Sequence, residues 1–312
     1  MNYLNFLFLL TISIFLFSCS NKQTQNIEFK GNAMGTFYFI KLIDVPKKIK
    51  KEKLTLEINK TMLEINKIVS NWDGFSEISI LNNNKTLLPI KVSNNLLDVF
   101  KTANIIHIKS NGYFDITLDP IIDLWGFGYK KNKLKKEPPL KEDVLETLSL
   151  VNQKKYLKIN QSNNELIKKN RDVSFNLSAI GKGYGIDLIG KKLKNLKINN
   201  FLINIGGDIL TNGYNSKKQD WVIGIENPNL QQQFIKEIIN VTNKGVATSG
   251  DYKNFFDNDG KKYSHIINPK SGMPINHSTK SVTVIEESAM LADGWATAFL
   301  AMGSTQGLKI AE

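Results

Sequence analysis

The sequence predicts an α+β fold: a single domain of mainly antiparallel, mixed sheets with helices packed on them. Long segments with apolar residues at helical spacing come early, at 50–69 and 93–108, and another lies late, after Ser288. Short segments that read as hairpin strands fill the middle, so strand and helix do not alternate as a doubly wound sheet requires. No Pro/Ser-rich linker divides the chain, and the basic, Pro-ended stretch KKNKLKKEPP at 130–139 is a loop between two dense regions of one domain.

In order, Gly35 to Ile43 reads as a strand, and Lys50 to Val69 as a helix with Leu54, Ile58, Met62, Ile65 and Val69 on one face. A polar turn with Trp72 follows, and Ser93 caps a second helix to about Ile108. After Asn111-Gly112, FDITLDPIIDLWGFG (114–128) carries Pro120 as a helix-start signal and closes on two glycines. Lys155 to Ile159 and Glu165 to Lys168 form a hairpin, and a helix from about Ser178 to Leu193 leads into the strand Phe201 to Ile205, ended by Gly206-Gly207. Further strands are expected at Trp221 to Glu226, Phe234 to Thr242 and Ser281 to Ile285. The last helix starts behind Ser288, with Leu291, Trp295, Ala298, Phe299 and Met302 on one face and Ala289, Ala296 and Leu300 on the other, so it is expected to be buried all round.

Residues 3–17 (YLNFLFLLTISIFLF) are almost entirely apolar, yet the run is shorter than the ~20 residues a membrane-spanning helix needs, and 1–18 read as a signal peptide. Leu16-Phe17-Ser18-Cys19 matches a lipobox, which makes Cys19 the lipidated first residue of a mature domain at 19–312, anchored to a membrane and facing the periplasm or cell exterior. Cys19 is the only cysteine, so no intramolecular disulfide supports the exported fold. The formal charge is 41 − 29 = +12, a balance that suits anionic ligands or an anionic surface and that an Asn- and Lys-rich composition also produces. The lysines are scattered, with no Arg cluster, which argues against a nucleic-acid partner.

Several groups could carry chemistry. Asp293 and Thr297 stand four apart on the apolar last helix, one turn from each other. A carboxylate there needs a cation, a donor or a metal, because burying it alone costs several kcal/mol or more. In NLSAIGKGYGID (176–187), Gly181, Gly183 and Gly185 alternate in a first helical turn, which implies close approach to the backbone by a phosphate or by packed structure. Lys182 at the positive end of that helix favours an anion nearby. His265 precedes Pro269 in KKYSHIINP and is the side chain suited to moving a proton near neutral pH, with an ordinary pKa of ~6.5. Thr248-Ser249-Gly250-Asp251 reads as a turn offering hydroxyls, and Phe114-Asp115 with Trp72 could hold a planar ring and its polar edge.

Together these strings resemble the ApbE family of FAD:protein FMN transferases: Ala33-Met34-Gly35-Thr36, WDGFSEISILN (72–82), GYFDITLDPIIDLWGFG, NLSAIGKGYGID, NIGGD (204–208), ATSGDY (247–252), YSHIINPKSGMP (263–274) and ADGWATA (292–298) occur in the family's order over nearly the whole mature chain. The resemblance implies a lipoprotein that uses Mg²⁺ to cleave the FAD pyrophosphate and attach FMN, through a phosphoester, to Thr or Ser of an exported acceptor with an Asp-Gly…Thr/Ser motif, such as an electron-transport subunit. It implies metal ligation by Asp293, the Thr297 hydroxyl and the Ala179 carbonyl. Met34, Trp72, Tyr113, Phe114, Asp115, Asn176, Lys182 and the His265–Ile267 segment match the FAD site, and His265 matches the residue that assists proton transfer. An FAD pyrophosphatase and a non-catalytic flavin-binding lipoprotein are the competing readings. Asn176 departs from the family's usual Asp, and the chain stops at Glu312 where members continue through another strand, which implies truncation. Asp293-Gly294-Trp295-Ala296-Thr297 itself resembles an acceptor motif, but an acceptor should be exposed and this helix is expected to be buried.

Overall fold

The computed structural model describes residues 24–129, 137–228, 234–252 and 254–312. The signal peptide, Cys19 and residues 130–136 of the basic loop lie outside the described residues. The chain opens with an antiparallel hairpin, β1 (Thr24–Ala33) and β2 (Thr36–Pro46), followed by α1 (Lys51–Val69) and α2 (Glu77–Asn83). The short β3 (Ile90–Lys91) precedes α3 (Asn94–Lys109), whose Ser93 cap accepts from the Leu96 amide at 3.1 Å. A 3₁₀ turn (Ile116–Leu118) runs into α4 (Asp119–Leu124), then come α5 (Lys141–Leu148), α6 (Gln153–Tyr156), and the hairpin β4 (Leu157–Asn160) and β5 (Glu165–Lys168). The helix α7 (Gly181–Asn195) leads to β6 (Asn200–Ile205), β7 (Asp208–Asn212), β8 (Trp221–Glu226), β9 (Ile235–Val241), β10 (Gly245–Gly250), β11 (Phe255–Asn258), β12 (Lys261–Ser264) and β13 (Ser281–Glu286). The helices α8 (Ala289–Met302) and α9 (Ser304–Ala311) close the chain.

The expected α+β architecture is found. The central sheet has the order β1-β2-β6-β7-β10-β13, and every pairing in it is antiparallel. Period-two alternation explains why it has helices on one side: in β6, Phe201, Ile203 and Ile205 point into the main core while Leu202 points away. That core joins Ile40 and Leu42 of β2 to Ile65 of α1, Phe100 of α3 and Ile186, Ile189 and Leu193 of α7. On the opposite face, Ile209 and Val246 meet Ile223 and Val241 from the β8–β9 hairpin. A second cluster binds α4 and α5 to the β11–β12 hairpin, where Trp125 packs against the mutually stacked Phe256 and Tyr263 and donates its indole N–H to the Gly272 carbonyl at 2.8 Å.

Two local expectations are corrected. The turn expected at 248–251 is strand as far as Gly250, because β10 pairs with β13 along its whole length, and the turn begins only at Asp251. The last helix is not buried all round. Ala289, Ala296 and Leu300 are fully buried, whereas Trp295 and Phe299 stack on each other at 5.0 Å, half-exposed in a groove beside β13 and α9. Among the described residues no helix is long and apolar enough to cross a membrane.

Candidate active site

A cavity of about 300 Å³ opens where the main core meets the second cluster. Five segments and Gly206 line it: 113–122 leading into α4, the loop 176–182 at the start of α7, 248–250 of β10, 265–267, and Asp293, Thr297 and Ala301 of α8. The segments lie far apart in sequence. They meet because α7 packs on β6 and β7, α8 packs on β10 and β13, and the two helices pack on each other.

Lys182 is the electrostatic centre. Its ammonium is ion-paired with the buried Asp208, at the start of β7, and lies 3.3 Å from Oδ1 of the buried Asp293. Burial opposes its charge, but Asp208 and then Asp293 raise its pKa above the ordinary lysine value. The expectation of an external anion beside Lys182 is therefore corrected: two carboxylates of the chain already meet it. Two negative charges against one positive charge leave the group one charge short. Asp208 is accordingly pushed up to about 6, by burial first and by its neighbour Asp293, with Lys182 acting against both.

Two of the three glycines serve close packing, Gly183 against α8 and Gly185 against Ile65 and Met34, whereas a Cβ at Gly181 would meet only Val69 at 3.7 Å. A Cβ on Gly183 would lie 2.3 Å from the Ala289 carbonyl oxygen, so α7 and α8 touch backbone to backbone there. The Gly183 amide donates to Asp293 Oδ2 at 2.9 Å. As the third residue of α7, Gly183 carries one of the N–H groups that a helix start leaves without an intrahelical partner. Asp293 Oδ1, the Thr297 hydroxyl and the Ala179 carbonyl all belong to cavity-lining residues. An all-oxygen set beside an excess negative charge fits a hard divalent cation. Thr297 Oγ1 is also 3.2 Å from Ser249 Oγ.

His265 lines the same cavity. Its Nδ1 lies 2.8 Å from the Asn254 carbonyl oxygen, which can only accept, so Nδ1 carries the proton and Nε2 the free lone pair. Burial lowers its pKa below the ordinary value, against the opposing pull of that hydrogen bond and of Asp251. The sequence expectation of a pKa near ~6.5 is corrected downward. His107 and His277 donate to the carbonyls of Phe114 and Leu300 and stay structural.

Of the other expected site residues, Tyr113, Phe114, Asp115, Asn176 and Ile267 line the cavity. Asp115 is not simply presented to a ligand: it caps the 3₁₀ turn, accepting from the Thr117 amide at 2.8 Å and the Gln153 amide at 2.9 Å. Asn176 donates to Asp119 Oδ1 at 3.1 Å and accepts from the Ser178 amide at 3.0 Å, a bridge in which a carboxylate would face a carboxylate. Met34 and Trp72 stand outside the lining. Met34 occupies the β1–β2 turn at φ 51°, its sulfur against Gly185 of α7, and Trp72 is 73% exposed with its ring 6.3 Å from Tyr129. Sequence reasoning passed over Asp208, although a lysine among apolar residues required a counter-ion and Gly206-Gly207-Asp208 follows a buried strand.

The model of the ApbE family matches residues 34–312. The FAD:protein FMN transferase of Vibrio cholerae is 35% identical over 96% of this chain and 88% of that protein. The FAD:protein FMN transferase of Haemophilus influenzae is 34% identical over 93% of this chain and 85% of its own length. Among solved structures, the flavin transferase ApbE from Vibrio cholerae superposes with a TM-score of 0.85 at 35% identity, covering 93% of this chain and 91% of that one. The apo flavinyl transferase ApbE of Pseudomonas stutzeri gives 0.83 at 31% identity, over 93% and 88%. A match this long, across every element that builds the cavity, makes this chain a member of the ApbE family.

Proposed function

We propose that this chain is an FAD:protein FMN transferase: it splits the pyrophosphate of FAD and joins FMN through a phosphoester to a Thr or Ser hydroxyl of an exported acceptor carrying an Asp-Gly…Thr/Ser motif, an electron-transport subunit being the expected kind. The observation that carries the reading is the joining, in one cavity, of a neutral His265 with a free Nε2 and a Lys182–Asp208–Asp293 group short of one positive charge. The acceptor oxygen attacks the FMN phosphorus, the P–O bond to AMP breaks, and AMP leaves with the bonding pair. His265 Nε2 takes the acceptor proton. Lys182 offsets one of the two buried carboxylates, so the cavity wall keeps a single excess negative charge to attract a divalent cation. Asp293, the Thr297 hydroxyl and the Ala179 carbonyl would hold Mg²⁺, which when bound neutralises pyrophosphate oxygens. The lipobox at Cys19 supports a lipid-anchored protein facing the periplasm or cell exterior, where exported acceptors are met.

The test is to incubate the soluble protein with FAD, Mg²⁺ and a peptide bearing the acceptor motif. Transfer requires an FMN mass increase on the peptide and one free AMP for each modification. FMN and AMP without peptide modification would make the chain a pyrophosphatase, and flavin binding with neither product would make it a binder.

A further inference from the structure

Asp187 takes no part in the cavity, yet its carboxylate spans two helices. From α7 it accepts the Ala289 amide on Oδ1 at 2.9 Å and the Met290 amide on Oδ2 at 3.0 Å, the first two N–H groups of α8. Ser288 Oγ accepts the next, from Leu291, at 3.1 Å. Three of the four N–H groups that a helix start leaves unsatisfied are thus held by side chains, two of them from another helix. A carboxylate at the positive end of α8 is also well placed against the helix dipole.

The second contact between these helices runs the other way. Gly183, four residues before Asp187, donates its amide to Asp293, four residues after Ala289. The two grips are one turn apart on each helix, so they fix both sliding and rotation of α8 against α7. The backbone contact at Gly183 brings the helices close enough for both bonds to close. Slippage at one grip therefore misplaces the other, and with it Asp293 and Thr297.

We propose that Asp187 is a positioning residue: it sets the register of α8 on α7 and so holds Asp293 and Thr297 where a divalent cation is bound, an inference that rests on the Mg²⁺-dependent reading above. Asp187 is not among the residues lining the cavity, and it acts through the start of α8.

The experiment compares the full chain with Asp187→Ala and Asp187→Asn, each confirmed as folded by circular dichroism. Amide exchange at Gly183 is followed first, because Asp187 does not contact that amide. Faster exchange in Asp187→Ala is expected, and unchanged exchange overturns the coupling. Mg²⁺ is then titrated calorimetrically into the FAD-loaded proteins. Half-saturation should rise about 10- to 100-fold in Asp187→Ala, the usual effect of removing a support behind a metal ligand. Asp187→Asn keeps one acceptor oxygen and should fall between it and the wild type. Wild-type Mg²⁺ affinity in folded Asp187→Ala overturns the proposal, as does a loss that follows only the folded fraction. A wild-type chain that binds no Mg²⁺ and cleaves no FAD would instead sink the functional reading, while the Gly183 exchange would still report whether the two grips are coupled.

Discussion

Replacing His265 by Ala separates a transferase from a binder, and the structure sets the size and shape of the effect. Nδ1 is committed to the Asn254 carbonyl, so Nε2 is the nitrogen that can take a proton. Loss of a general base slows the step by about 10² to 10⁴, which is roughly 2.7 to 5.4 kcal/mol of transition-state stabilisation. The fold should hardly change, because the His265 backbone amide still donates to the same Asn254 carbonyl at 3.1 Å and the lost side-chain bond is worth only about 1 kcal/mol. Affinity for FAD should stay within a few-fold. Burial keeps His265 neutral to lower pH than a free imidazole, so wild-type transfer should hold through pH ~6.5 and fall only below it, as Nε2 gains a proton and can no longer accept one. Transfer rates for both proteins across pH, beside FAD titrations followed by flavin fluorescence, make the measurement. A wild-type rate in the variant, or an acid limb above pH ~6.5, would refute the reasoning, and a parallel collapse of FAD binding would make His265 a binding residue.

Asp293→Ala should abolish Mg²⁺-dependent FAD cleavage while circular dichroism stays native, and undiminished Mg²⁺-dependent turnover would remove Asp293 from the metal site. Gly183→Ala must drive its new methyl into the Ala289 carbonyl, so denaturant unfolding should show a loss of about 1–3 kcal/mol together with lost transfer; an equally stable, active variant would mean that the helices do not touch there. Asp208→Asn should weaken Mg²⁺ binding in a calorimetric titration, since the cluster around Lys182 loses its excess negative charge. The same variant tests linkage. Because the folded pKa of Asp208 is raised from 3.8 to about 6, the native state holds more protons between those values, and wild-type stability should fall as pH rises through about 6. That slope should shrink in Asp208→Asn, and should not vanish, because Asp187 is also raised by burial to about 6; an unchanged slope would show that Asp208 does not titrate there.

Periodicity and capping chemistry act over a few residues, and what they control was legible in the chain. The early helices, the Ser93 and Ser288 caps and the strand at 201–205 occur where spacing predicts, because the side-chain pattern alone decides which face can be buried. The motif strings identified the family and placed Lys182, His265, Asp293 and Thr297 among the candidates, and the fold brings these four to one cavity. Which partner each would meet was not legible, since a local pattern carries no information about residues many positions away. The glycines of α7 announced a close approach, but only the packing of two helices made the approaching group the Ala289 backbone. Lys182 announced an opposite charge, and only the pairing of β6 with β7 delivered Asp208 to supply it. The tautomer of His265 hangs on the Asn254 carbonyl, and the exposure of Trp295 and Phe299 on a groove beside β13. Burial, hydrogen-bond partner and local charge are properties of the assembled sheet and helices, so the chemistry of the site was decided in tertiary structure.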